Sequence, residues 1–439
     1  MKINSTNNDE HLPGSKTTLR RFTVFFACLL AVSMMFSPFL LSVSMWGFVA
    51  AAFWNCALDT RAGDLRKPAT WLKILVESFR NLFRQPALAL MALLLLAPAL
   101  SFFWSADQGY WLERTRVRLP FLVLPWAFAN LPGLSQRQMQ LVLYVLVWAL
   151  TVICIGAAVN LFLHLDDVVV GIGRGDPVPV PRSHIRFSLI TATGIITGSW
   201  LWLQGFYWRW RWERWALGAA LVFLFFFLHA LSVRSGIVGL YVVLLFSIGR
   251  FVWRTRRWGI GLVTLTILAI MPFVAMETIP VFRQRVHYML WDWQQYKQNV
   301  GNAYSDSERL VSIRAGWQIW QENPLLGIGA GDLPAEVQRV VDDRYPGYSD
   351  APKLPHNQFL YILAGTGLLG LALSLPAFFA PLMVRRHRRF YLFAAFQILA
   401  LSSFLVEYTI ETAIGVAFYL FYTLWFMKMV TRRHDDTTY

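Results

Sequence analysis

Long apolar runs, most of them close to the length of a bilayer crossing and joined by short polar links, restrict the fold of this chain more than any other feature. They occupy residues 22–37, 39–58, 86–104, 119–131, 141–163, 189–206, 216–231, 237–249, 259–276, 359–384, 390–406 and 413–430. A helix needs roughly 20 apolar residues to cross the hydrocarbon core, and only a helix or a closed barrel satisfies its own backbone there. The expected fold is an all-α integral membrane protein with about twelve transmembrane helices. Composition agrees: 56% of the residues are hydrophobic and 15% charged, too few charges to cover a domain that faces water.

The formal net charge is +15, from 40 Lys plus Arg against 25 Asp plus Glu. An excess of this size signals nucleic acid when it forms a continuous patch, but here it is broken into short clusters between the runs. Lys2, Lys16, Arg20 and Arg21 precede the first run, and Arg61, Arg66, Lys67, Lys73, Arg80 and Arg84 follow the second. Arg250, Arg254, Arg256 and Arg257, then Arg385, Arg386, Arg388 and Arg389, then Arg432 and Arg433 complete the set. This is the positive-inside pattern; it puts both termini in the cytoplasm and leaves no nucleic-acid partner. The first run follows a polar, basic start and leads through Pro38 into the second, so it is expected to stay as an anchor. Cys28, Cys56 and Cys154 all lie in apolar runs and read as packing residues.

Two stretches belong at the membrane surface. Trp71, Leu72, Leu75, Phe79, Leu82 and Phe83 share one helical face, so their segment should lie flat among the headgroups. The interleaved Trp and Arg residues of 206–215 read as an interface anchor rather than a base-stacking platform.

One long polar interval divides the chain into helices at 1–276, a large external loop at 277–355, and helices with a cytoplasmic tail at 356–439. A loop of that length is exempt from the charge rule. Ser305 and Glu308 have capping-box spacing, and Leu310, Ile313, Trp317 and Trp320 recur at helical spacing until Asn323-Pro324. An amphipathic helix is expected there, its apolar stripe resting on the bundle and Arg309, Ser312 and Gly316 along another face. Gly327, Gly329 and Gly331 follow no strand, so they predict a tight turn rather than a phosphate loop.

The external side collects Arg118, His184, Arg186, Arg234, Arg309, Arg314, His356, Asn357, Glu407 and Glu411. Ionisable groups at membrane depth are costly and mark sites, and guanidinium forks match phosphate oxygens, so an anionic lipid headgroup is the ligand this set suits. Arg114, Arg116 and Arg118 are either such a site or ion-paired with Glu113 and Asp107. Arg309 admits a solvated position as well as a ligand role. His356 is either a packing residue or a base that the helix dipole behind Pro355 keeps neutral. No Cys or His pair has metal spacing and no nucleotide loop is present, so neither metal nor cofactor is expected.

The string Ser305 to Asp332, with Arg309, Trp317 and Asn323-Pro-Leu-Leu-Gly-Ile-Gly-Ala-Gly331, followed by His356-Asn357 and Gly365-x-Gly367, resembles the O-antigen ligase and polymerase superfamily. Ser232-Val-Arg234-Ser-Gly236 resembles its Ser-Arg-Gly motif, with Val233 inserted. The resemblance implies a GT-C-like membrane glycosyltransferase of the Gram-negative inner membrane, with the large loop periplasmic. It implies a donor, O-antigen on undecaprenyl diphosphate, and a lipid A-core acceptor, joined without a metal. By it Arg234, Arg309 and His356 are the catalytic candidates. Arg186, Arg118, Arg314, Asn357 and His184 are the accompanying substrate-binding candidates. Chain length, helix count and the single large loop look most like the ligase branch; polymerase, protein O-oligosaccharyltransferase and transporter readings remain rivals.

Overall fold

The computed structural model describes residues 13–58, 60, 67–298, 305–348 and 353–437. Lys2, Arg61 and Arg66 lie outside them, as do the charge arguments built on them. Among the described residues every regular element is a helix. The N-terminal part holds α1 (Pro13–Ser33), α2 (Pro38–Leu58), α3 (Pro68–Phe83), α4 (Pro86–Ala89), α5 (Leu93–Leu100), α6 (Gln108–Arg118), α7 (Pro120–Asn130) and α8 (Gln136–Leu163). Next come α9 (Leu165–Gly173), α10 (His184–Leu203), α11 (Glu213–Leu231), α12 (Arg234–Thr255) and α13 (Trp258–Thr278). The polar interval contains α14 (Pro280–Lys297), α15 (Ser305–Glu322) and α16 (Leu333–Arg344). The C-terminal part is α17 (Gln358–Met383), α18 (Arg385–Arg389), α19 (Tyr391–Phe404) and α20 (Ala413–Thr437).

A helix lies at each expected apolar run, and eight are long and apolar enough to cross a membrane. These are Pro38–Leu58, Pro86–Phe103, Gln136–Leu163, Glu213–Leu231, Arg234–Thr255, Trp258–Thr278, Gln358–Met383 and Ala413–Thr431. Helix α10 is too polar in composition to count among them, and protein encloses most of it. Ser188, Thr191, Thr193 and Thr197 are buried in it and return their hydroxyl protons to carbonyls three or four residues back, so a polar sequence is stable there. Helix α20 is the central post, with Tyr419, Tyr422 and Trp425 fully enclosed. Helix α3 buries Ile74, Ser78 and Leu82 and leaves Trp71, Leu72, Val76 and Phe83 exposed. Leu82 thus turns inward from the expected outer face.

The polar interval folds back on the bundle. Val311, Ala315 and Ile319 of α15 pack with Val337 and Val341 of α16 and with Tyr361 and Ala364 of α17. The buried stripe is therefore displaced from the expected Leu310, Ile313, Trp317 and Trp320; Trp317 is exposed. The physical reason is that α15 is wedged between two helices, so its inner face is set by α16 as well as by the bundle. The Ser305 side chain of the expected capping box lies outside the described residues. Asp292 of α14, fully buried, accepts the backbone N–H of Asp306 at 2.7 Å and of Ser307 at 3.3 Å, and the Ser307 hydroxyl at 2.8 Å. Glu308 pairs with Lys353.

The glycine turn is an anchor. Gly367 breaks α17 at φ 63°, ψ −163°, and the freed backbone pairs with residues 324–329. Leu368 and Leu369 donate to Pro324 and Leu325, and Ile328 and Gly329 donate to Ala364 and Gly365, at 2.9–3.1 Å. Asp332 then accepts the N–H groups of Ala106 and Asp107, both at 2.8 Å. These bonds fix α15 and α16 against the bundle.

Candidate active site

Helix α12 supplies the first arginine. Ser232 ends α11 in the left-handed conformation (φ 55°), so the chain turns sharply and Arg234 becomes the first residue of α12. Gly236 lets this turn press on α10, since a Cβ there would lie 2.6 Å from that of Ser188. Arg234 forms a two-pronged ion pair with Asp306, one prong at 2.6 Å.

Helix α15 supplies the second. Arg309 lies 3.0 Å from Glu407, whose carboxylate is 1% exposed. The contact is close but not aligned as a hydrogen bond, which leaves that buried oxygen without a donor. Burial raises the Glu407 carboxyl above its usual range, opposed by Arg309 and Arg186.

His356 sits just before α17, whose true cap is Asn357: its side chain accepts Phe359 and Leu360 N–H, each at 3.0 Å. Gly316 allows α15 to touch Pro355, where a Cβ would come within 2.6 Å of the ring. That approach brings Ser312 Oγ to 3.2 Å from His356 Nδ1 and 3.3 Å from its backbone N. The Ser312 hydroxyl proton goes to the Arg309 carbonyl at 2.8 Å. Oγ can then accept from Nδ1–H, the tautomer in which Nε2 keeps its lone pair. Burial, reinforced by Arg309, Lys353 and Arg186, brings the imidazole pKa down to about 3. Burial and the neighbouring cations thus both favour the neutral ring.

Arg234, Arg309 and His356 line one cavity of about 530 Å³. Asp306 also lines it, and Val238, Met289, Leu290, Ile313, Leu405 and Val406 are among its apolar walls, several of them exposed at the rim. Charge at one point and apolar surface elsewhere suit an amphiphile with an anionic head.

The other candidates fall outside that lining. Arg118 is buried, paired with Glu411 and bonded to the Leu94 carbonyl at 3.2 Å. Gln358 completes the same knot by donating to Glu411 at 2.6 Å. Arg186 lies over the Tyr408 ring at 5.8 Å, Arg314 lies over Tyr296 at 5.4 Å, and His184 starts α10 beside Arg186. The Asn357 amide is taken up by its cap and by the Leu405 carbonyl at 3.0 Å.

Sequence reasoning missed Asp292, Asp306 and Arg285. Arg285 of α14 is close enough to Arg234 and Arg309 that they, after burial, depress its guanidinium pKa. Nothing in its local sequence separates it from the other basic residues of the interval. Among the described residues no three His, Cys, Asp or Glu side chains gather as a metal site.

Two comparisons bear on this site. An O-antigen ligase of Salmonella typhimurium (strain LT2) is 30% identical over 155 residues. The match covers 34% of this chain and 35% of that protein, so it spans about a third of each. Over residues 219–375, and so over Arg234, Arg309 and His356, the chain matches the O-antigen ligase family, as its motifs led one to expect.

Proposed function

We propose that the protein transfers an O-antigen glycan from undecaprenyl diphosphate to a sugar hydroxyl of lipid A-core, at the periplasmic face of the inner membrane. The observation that carries this is the shared cavity: Arg234, Arg309 and His356 on one wall system of apolar residues. The family match over that stretch and the name of the Salmonella protein support a ligase-type reaction.

The transfer is an inverting one. The acceptor oxygen attacks the anomeric carbon as the bond from that carbon to the diphosphate oxygen breaks. The hydroxyl proton passes to His356 Nε2, and the leaving diphosphate carries off the electron pair, its charge offset by Arg234 and Arg309. Both arginines hold carboxylates, Asp306 and Glu407, which the diphosphate exchanges with or joins. An imidazole with pKa about 3 is a weak base on its own. An arriving diphosphate counters the field of Arg309 and Lys353 and so raises its basicity in the complex.

Purified protein given lipid-linked single-repeat glycan and lipid A-core tests this. Capped core supports the ligase; growth on the carrier lipid points to a polymerase; activity in detergent excludes transport as the explanation. A His356→Ala protein that folds normally should lose about 10²- to 10⁴-fold in rate. Full activity in that variant would remove the base assignment.

A further inference from the structure

A second cavity, of about 540 Å³, lies at the opposite end of the bundle. It is bordered by Met383 and Val384, at the far end of α17 from His356. The unbroken α12 runs from Arg234 in the first cavity to Arg250, which donates to the Arg389 carbonyl of the helix carrying Arg386, a rise of about 24 Å at 1.5 Å per residue. The cavity therefore belongs to the other side of the membrane from the first.

Its polar lining is one-signed. Arg84, Arg386 and Lys428 supply its charge, and no carboxylate lines it. Arg84 is already paired with Glu77 at 3.2 Å. Arg386 and Lys428 have no ion pair among the described residues; the Lys428 ammonium donates to the Leu131 carbonyl at 3.2 Å and has two further N–H groups. The remaining walls are apolar, including Leu88, Phe128, Met383 and Met427. Depth follows from α3, which leads directly into Arg84. Its exposed Trp71, Leu72, Val76 and Phe83 lie beside its basic residues, the pattern of a helix held in the headgroup plane.

We propose that this cavity binds one anionic glycerophospholipid, its phosphate against Arg386 and Lys428 and its acyl chains along Leu88, Phe128, Met383 and Met427. Basic pockets between transmembrane helices on the cytoplasmic side recognise such headgroups. A free phosphate would satisfy the charges but leave the apolar wall uncovered, and a zwitterionic lipid would bring its own cation to a cationic site.

The test uses the full chain purified in neutral detergent, with phosphatidylglycerol, phosphatidylcholine or inorganic phosphate added. Lipid retention is followed by native mass spectrometry and stability by thermal unfolding. Phosphatidylglycerol should stay bound and raise the Tm, while phosphatidylcholine and phosphate leave it unchanged. Each charge removed should weaken phosphatidylglycerol binding about fivefold, in Arg386→Gln and again in Arg386→Gln/Lys428→Gln. Arg386 is exposed, so the single variant carries the test if the double one does not fold. Equal retention by wild type and Arg386→Gln would overturn the proposal. So would equal retention of phosphatidylcholine, or a shift reproduced by phosphate alone.

Discussion

Asp306 occupies the fork of Arg234 that the proposed diphosphate needs, and removing its charge should make the donor bind more tightly. Asp306→Asn keeps the shape of the side chain and leaves the backbone N–H of residue 306 on Asp292. What it removes is a competitor for the guanidinium. The side chains of the pair are 39% and 19% exposed, so solvent screens the interaction. Exposed pairs of this kind contribute about 0.2–1 kcal/mol, which corresponds to a KM for the lipid-linked donor lower by up to about fivefold. The kcat should stay unchanged, because the competition for Arg234 ends once the donor is bound. Steady-state transfer assays over a range of donor concentrations, at fixed saturating acceptor, read both quantities. A KM that rises severalfold would refute the reasoning, since it would mean that Asp306 holds Arg234 in its working orientation rather than blocking it.

Four further outcomes follow from the geometry. Arg118→Ala should destabilise the protein by about 3–5 kcal/mol, because it leaves Glu411 as an uncompensated buried charge; thermal unfolding measures this, and Glu411→Gln in the same chain should recover part of the loss. The His356 imidazole has a folded pKa of about 3 against an ordinary value of 6.5. Its contribution to stability is therefore complete above pH 6.5 and is lost as the pH falls from there toward 3, and this loss should disappear in a His356→Gln variant. For the same reason kcat/KM should show no acid limb from His356 between about pH 5 and 8. Gly367→Ala should destabilise strongly, since the backbone conformation there is nearly glycine-only and the added Cβ would lie 2.3 Å from the Leu325 carbonyl oxygen. Gly133→Ala, where no atom lies within 4 Å of the added Cβ, is the control.

The helices and the candidate trio could be read from the sequence because each rests on a local signal. Apolar runs of bilayer length locate the helices, and Arg234, Arg309 and His356 stand in polar motifs beside them. Partnerships were less legible. Glu407 and Glu411 could be named as partners for arginines, but assigning Glu411 to Arg118 across 293 residues and Glu407 to Arg309 needed the fold. Asp292 in another helix accepts the first backbone N–H groups of α15, a partner that no local pattern reveals. The buried face of α15 differs from its periodic apolar stripe because periodicity alone does not reveal a second packing partner such as α16. Arg118 and Asn357 have the chemistry of ligands, yet burial and capping occupy them.

The most direct test of the central claim is a structure determined with a polyprenyl diphosphate bound. The diphosphate oxygens should lie within hydrogen-bond distance of Arg234 and Arg309 in the cavity that His356 also lines, with the prenyl chain leaving past Val238, Leu290 and Leu405. A diphosphate held elsewhere, with the Arg234 to Asp306 pair intact and the cavity empty, would contradict it.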